Sequence, residues 1–219
     1  MKIVETVTLI ERGDFPKSES WKRISEDIHA AITAVEWPVG SGQFTIRPAK
    51  HGNGVKPIKL GLIADLRAKG WNIEHPFSEV DDANRTAATV AKPGDFDAVL
   101  IDDTSASAVE WETGNISSSH RALNKMALGL KRGTLASATL VVPSNVLYPF
   151  LTDRIGNVRE LRPYFDLWRD VTCENGVLQI VVIEHDAADT NAPLIPKGKD
   201  GNAKKAKVKV KRQRRLPTI

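Results

Sequence analysis

Asp97, Glu110 and Glu112 are the acids best placed to act together, because they fall in a stretch, Pro93 to Gly133, that reads as strand, short turn, strand and helix. Asp97 to Asp102 (DAVLID) is aliphatic and β-branched and follows Pro93-Gly94, a punctuation that precedes a strand. Asp103 to Ala106 supply small and polar turn residues, and Ala108 to Thr113 form the second strand. Side chains alternate along a strand, so Glu110 and Glu112 point to one face and Trp111 to the other. A hairpin folded about Thr104 and Ser105 sets Asp97 opposite Glu112 and Val99 opposite Glu110, and opposed residues share a face. Three carboxylates then meet at the open end of the hairpin. Asp95, just before the strand, and Asp102, near the turn, are alternatives to Asp97. Converging carboxylates repel one another. A hard divalent cation with oxygen ligands, Mg²⁺ above all where phosphate is also bound, relieves that repulsion.

An isolated E-x-E more often marks a solvated sheet face, so the helix that follows decides the weighting. After Gly114-Asn115, one of Ser117 to Ser119 caps this helix. It runs to about Arg132 and is stopped by Gly133. Leu123, Met126, Ala127 and Leu130 make its buried stripe. Arg121 and Lys125, four apart, share another face, one that reaches a phosphate backbone held beside the metal.

The order D-x12-E-x-E, then G-N-x-S-S-x-H-R-x-x-N-K on a helix, resembles the PD-(D/E)XK nuclease superfamily. Within it the stretch is most similar to type II restriction endonucleases of the BamHI, BglII and BstYI kind. Asp97, within Pro93-Gly-Asp-Phe-Asp97, matches the motif's aspartate, and Glu110 matches its first acid. Glu112 stands where the superfamily usually has lysine, a departure shared by the BamHI-like members. The resemblance spans roughly Ser18 to His185. It implies Mg²⁺ on Asp97 and Glu110, with the Trp111 carbonyl as a further ligand and Glu36, from the end of the first helix, as an extra acid near the metal. It also implies a water oriented or deprotonated by Glu112, and DNA contacts from Asn115, His120, Arg121 and Lys125. The enzyme it describes is a homodimer that cuts both strands of double-stranded DNA at a specific palindromic site.

The 219 residues suit one domain with a sizeable core. Cys173 is the only cysteine, so no intramolecular disulfide forms, and five scattered histidines argue against a zinc cluster. No run approaches the roughly 18 apolar residues of a membrane span. The N-terminus lacks a signal-peptide profile, and the chain reads as cytoplasmic. From Asp186 onward ten Lys/Arg face three Asp, a net +7, which leaves −3 for the rest of a chain whose total is +4. That shift divides a nuclease domain, 1–185, from a basic tail, 186–219. The tail lacks apolar periodicity, so it is expected to be disordered and to add salt-sensitive phosphate affinity.

Met1 to Glu11 reads as a strand. Ser18 caps a helix from Glu19 to Glu36, with Trp21, Ile24, Ile28, Ala31, Ile32 and Val35 on one face. Gly42 to Ala49 reads as a strand. The loop Lys50 to Lys56 contains Gly-Asn-Gly but not the Walker spacing, so no nucleotide cofactor is expected; Lys50, Lys56 and Lys59 are candidates for the DNA backbone. Ile58 to Lys69 is a second helix. Trp71 to His75 is a strand, in which Glu74 is an alternative to Glu36. Leu135 to Pro143 and Val177 to His185 are almost continuously apolar, as buried strands are. Between them Val158 to Trp168 forms a helix, and Arg154, Arg159, Arg162 and Arg169 are candidates for bidentate contacts to guanine. The elements add up to an α/β fold, a mixed central sheet flanked by helices. A less specific nuclease of the same superfamily and a DNA-binding protein without catalysis are the competing readings, and the intact Asp97, Glu110, Glu112 set argues against the latter.

Overall fold

A computed structural model describes residues 1–77, 93–102, 105–153 and 155–197. In chain order it contains β1 (Lys2–Arg12), α1 (Glu19–Thr33), β2 (Thr45–Ile46), α2 (Lys56–Ala68), β3 (Asn72–Pro76), β4 (Asp95–Ile101), β5 (Ala106–Trp111), α3 (Ile116–Lys131), β6 (Ser137–Pro143), α4 (Val158–Leu161), α5 (Phe165–Arg169), β7 (Gly176–Glu184) and β8 (Ala187–Ala188). The main sheet has the order β1-β7-β6-β5-β4-β3. β5, β6 and β7 run parallel, while β1, β4 and β3 pair antiparallel at the edges. This is the mixed sheet expected from the sequence.

Alternation along the central strands builds a core on each face. Val141, Val181 and Ile183 join Ile24, Ile28 and Ile32 of α1 and Leu62 and Leu66 of α2 on one side. Leu140, Val142, Ile180 and Val182 join Leu123, Met126 and Leu130 of α3 and Phe165 and Trp168 of α5 on the other. Each fully buried aliphatic side chain contributes about 1.5–3 kcal/mol. On the α1 and α2 face, the apolar row continues into a short polar stretch. Ser137 Oγ donates to Ser107 Oγ at 2.7 Å, and Gln179 Nε2 donates to Thr139 Oγ1 at 3.1 Å, all four residues being buried.

The helix termini follow local chemistry. Ser18 caps α1 by accepting the Trp21 N–H. Asn115 Oδ1, not one of the three serines, caps α3 by accepting the Ser118 N–H at 3.1 Å. The extended backbone of Asn115 (φ −72°, ψ 163°) is the conformation of a capping residue and aims its side-chain oxygen at the first turn. Gly133, at φ 70°, ends α3 in the left-handed conformation that glycine adopts without strain.

Three expectations need correction. The strand expected over 42–49 shrinks to Thr45–Ile46, paired with β8. The helix expected over 158–168 is split by a 3-10 turn at Arg162–Tyr164, where Pro163 lacks the N–H a continuous helix needs. The folded body also continues past Asp186. Trp37 Nε1 donates to the Pro193 carbonyl, the Gly54 N–H donates to the Ile195 carbonyl, and Ala192 and Ile195 are buried. Backbone hydrogen bonds and two apolar anchors hold this segment without any periodicity. Residues 198–219, with most of the basic tail, lie outside the described residues. Among the described residues no helix is long and apolar enough to cross a membrane.

Candidate active site

β4 and β5 pair through Ile101↔Ala106, Leu100↔Ser107, Val99↔Ala108 and Ala98↔Val109. Continued by one step, that register sets Asp97 opposite Glu110, not opposite Glu112 as a turn about Thr104–Ser105 requires. The cause is local. Asp102 Oδ1 accepts both the Ser105 N–H and its hydroxyl, and the Asp102 N–H donates to the Ser105 carbonyl, so the hairpin closes one residue earlier on each strand. Beyond Ala98 and Val109 the ladder stops. The Trp111 N–H donates to Asp97 Oδ2 at 2.8 Å instead of to a backbone carbonyl. A strand residue's N–H and C=O point to the same side, so the Trp111 carbonyl also faces Asp97.

Glu110 is buried on the α3 side and forms an ion pair with Lys125, whose ammonium also donates to the Asp95 carbonyl and sits 4.4 Å from the centre of the Phe96 ring. Burial, with Asp97 and Glu112 nearby, pushes the Glu110 carboxyl up to about 7 even against the pull of Lys125. Lys125 is 5% exposed and sits in this cluster rather than on a DNA-facing surface. The sequence pattern put it on an outer face of α3; the Glu110 carboxylate below draws it inward.

Asp97 Oδ1 takes a second ammonium, from Lys59 of α2 at 2.5 Å. Glu112, just past the end of β5, is held above the ordinary carboxylate range by burial and by Asp97, against Lys59, the Gly114 N–H and Arg121. A cleft of about 440 Å³ opens beside these groups, lined among others by Lys56, Lys59, Arg67, Glu74, Asp97 and Thr113. Glu74 lies on β3 between Ile73, paired with Ala98, and His75, paired with Phe96, hence across from Asp97. Its φ of 52° is left-handed, a strain of roughly 1–2 kcal/mol for a residue with a side chain.

Of the two acids offered as an additional ligand, Glu74 shares the cleft with Asp97 and Glu36 does not. The Glu36 carboxylate accepts the Gly40 and Gly42 N–H groups, which hold it below the ordinary carboxylate range. It is spent on closing its own loop. Among the described residues no three His, Cys, Asp or Glu side chains already converge as a metal site. The donor chemistry nevertheless fits a hard divalent cation. Asp97 and Glu110 are adjacent oxygen donors that each already hold a positive charge, and Glu112 adds a third carboxylate to the same field.

The other anticipated side chains divide. Arg121 lies close enough to Glu112 to lower its proton affinity. Asn115 and Arg159 line a cleft of about 860 Å³ with His51, Asn145, Tyr148 and Asp153. The His120 ring packs edge-on against Tyr164 at 4.7 Å and tilted against Trp168 at 5.5 Å, away from the carboxylates. Arg162 pairs with Glu5 and Arg169 with Asp166, while Arg154 lies outside the described residues. Lys59 was legible only as a basic residue after a loop; nothing in its spacing ties it to Asp97.

A family model described as restriction endonuclease BamHI matches residues 1–202. The type II restriction enzyme OkrAI of Oceanobacter kriegii is 46% identical over 203 residues, 93% of this chain and 99% of that protein. The type II restriction enzyme BamHI of Bacillus amyloliquefaciens is 36% identical over 186 residues, 82% of each. The structure of restriction endonuclease BglII complexed with a DNA 16-mer superposes with a TM-score of 0.56 at 11% identity, over 85% of this chain and 79% of that one; at that identity it speaks to the fold alone. The carboxylate cluster at the ends of β4 and β5 is therefore found in a chain that belongs to the BamHI family of restriction endonucleases, enzymes that hydrolyse DNA at specific sites.

Proposed function

We propose that this chain cuts both strands of double-stranded DNA as a homodimer, with Mg²⁺ held by Asp97, Glu110 and the Trp111 carbonyl. The observation that carries this reading is the closeness of Asp97 and Glu110 just beyond the last paired residues of the hairpin, each carboxylate compensated by an ammonium. Asp97 and Glu110 would hold a divalent cation there, which would supply polarisation of the scissile phosphate and acidify a bound water. Glu112, with its raised proton affinity, orients that water and takes its proton. Arg121 neutralises phosphate charge. Asn115 and Arg159, in the cleft they share, face the bases. The homodimer rests on the α3 and α5 surface, where Leu167 is 68% exposed and Tyr164 44% exposed beside Leu128 and Trp168. Leu167→Arg is expected to shift the protein to a monomer in sedimentation, and an unchanged dimer would remove that surface from consideration.

Purified protein incubated with unmethylated phage DNA and Mg²⁺ tests the reading, with EDTA and Glu110→Ala as controls. Discrete bands lost in both controls are expected. A smear lost in both would keep the chemistry and assign a less specific nuclease. Binding without cleavage across several DNAs and metals would sink the enzymatic reading.

A further inference from the structure

Two lysines compensate the carboxylates, and they are held very differently. Lys125 is buried and fixed by Glu110, the Asp95 carbonyl and the Phe96 ring. Lys59 has a side chain 41% exposed at the cleft, and Asp97 Oδ1 is its one partner among the described contacts. Asp97 Oδ2 already accepts the Trp111 N–H, so of the two oxygens Oδ1 has the more lone-pair capacity to offer a cation. Lys59 occupies it.

We propose that Lys59 is an exchangeable counter-ion: it neutralises Asp97 until a divalent cation takes Oδ1, and the displaced ammonium then contacts the scissile phosphate in the adjoining cleft. The inference rests on the proposed nuclease function. A divalent cation and an ammonium cannot share one carboxylate oxygen at contact distance without strong repulsion. The four-carbon stem of Lys59, half in solvent, lets its head move by several ångströms, as a point charge on a flexible chain does. Lys125 has no such freedom. Lys59 thereby supplies, from α2, the positive charge that the usual motif lysine supplies from the hairpin and that Glu112 cannot.

The full-length protein, its Lys59→Met and Lys59→Arg variants are titrated with Mn²⁺ by calorimetry without DNA, and the same proteins are assayed in single-turnover cleavage at saturating Mg²⁺. Lys59→Met is expected to bind Mn²⁺ at least about fivefold tighter, since a competing charge is gone, and to cleave about 100-fold more slowly. DNA affinity in EDTA should change by less than about threefold, the effect of one phosphate contact at most. Lys59→Arg should keep Mn²⁺ affinity near wild type and recover part of the rate. Equal or weaker Mn²⁺ binding by Lys59→Met, or an unchanged cleavage rate, would overturn the proposal. A tighter Mn²⁺ site cannot arise from a misfolded one. Wild-type protein that cuts no DNA would defeat the nuclease reading on its own, and the Mn²⁺ titration would still decide whether Lys59 guards Asp97.

Discussion

The two faces of the sheet each send one lysine to the same carboxylate cluster, and the faces treat that lysine differently. Under α3 the ion pair of Glu110 and Lys125 is sealed, its two side chains 7% and 5% exposed. Under α2 the pair of Asp97 and Lys59 is open, at 13% and 41%. A sealed pair is costly to break, because either partner alone is a buried charge. An open pair is worth little and is easily exchanged. The difference separates what sets the electrostatics of the cluster from what is free to respond to a ligand.

The largest effect should come from the acids common to both faces. Asp97→Asn and Glu110→Gln are each expected to lower single-turnover cleavage by about 1,000-fold or more, because each removes one of the two carboxylates proposed to hold the metal. If either variant cuts within tenfold of wild type, the cluster is not the active site. Stability should then separate the two lysines. At pH 8, Lys125→Met should lower unfolding free energy by about 3–5 kcal/mol and Lys59→Met by about 1 kcal/mol or less, read from urea midpoints. Equal losses would erase the distinction between the faces.

A pH series sharpens the sealed side. Glu110 loses its proton near 4.5 when unfolded and near 7 when folded. The folded state thus holds the proton more tightly between those values, and linkage makes its contribution largest below about pH 4.5. That contribution is lost as pH rises to about 7 and is flat above. Without divalent cations, wild type should show this slope more than Glu110→Gln does, and coincident profiles would refute it. Mg²⁺ affinity should correspondingly weaken by about tenfold per unit as pH falls below 7, because a ligand oxygen must first lose its proton. The smallest effect belongs to Gly114→Ala. A Cβ there would lie 3.1 Å from Glu112 Oε2, and displacing that carboxylate slightly should slow cleavage by a few-fold with DNA binding unchanged.

The sequence showed the elements that build the site better than the contacts within it. Ser18 before an amphipathic run located α1, and the β-branched runs located β4 to β7, because capping and periodicity are local properties. The hairpin register was missed by one residue on each strand because Asp102 folds its side chain into the turn, which no spacing reports. Lys125 was assigned to an outer face because helical periodicity does not reveal a carboxylate beneath. Glu36 was preferred to Glu74 on paper; the loop N–H groups of Gly40 and Gly42 capture the first, and strand pairing brings the second beside Asp97. Asp186 to Lys197 looked like tail because its anchors are mostly backbone groups and two isolated apolar side chains, Ala192 and Ile195, with no period to report them.

The buried hydroxyls of Ser107 and Ser137 have a consequence for the chemistry three residues away. Sliding β5 against β6 by two residues, so that Ser107 meets Leu135 and Val109 meets Ser137, would keep the alternation of its side chains but strand both hydroxyls, at about 1–3 kcal/mol for each orphaned polar group. The Thr139 and Gln179 pair enforces β6 against β7 in the same way. Apolar rows tolerate such slips; a polar pair does not. The strand that carries Glu110 is indexed like a key in its ward, so the alignment of an acid with its lysine is guarded by two serines that never meet the substrate.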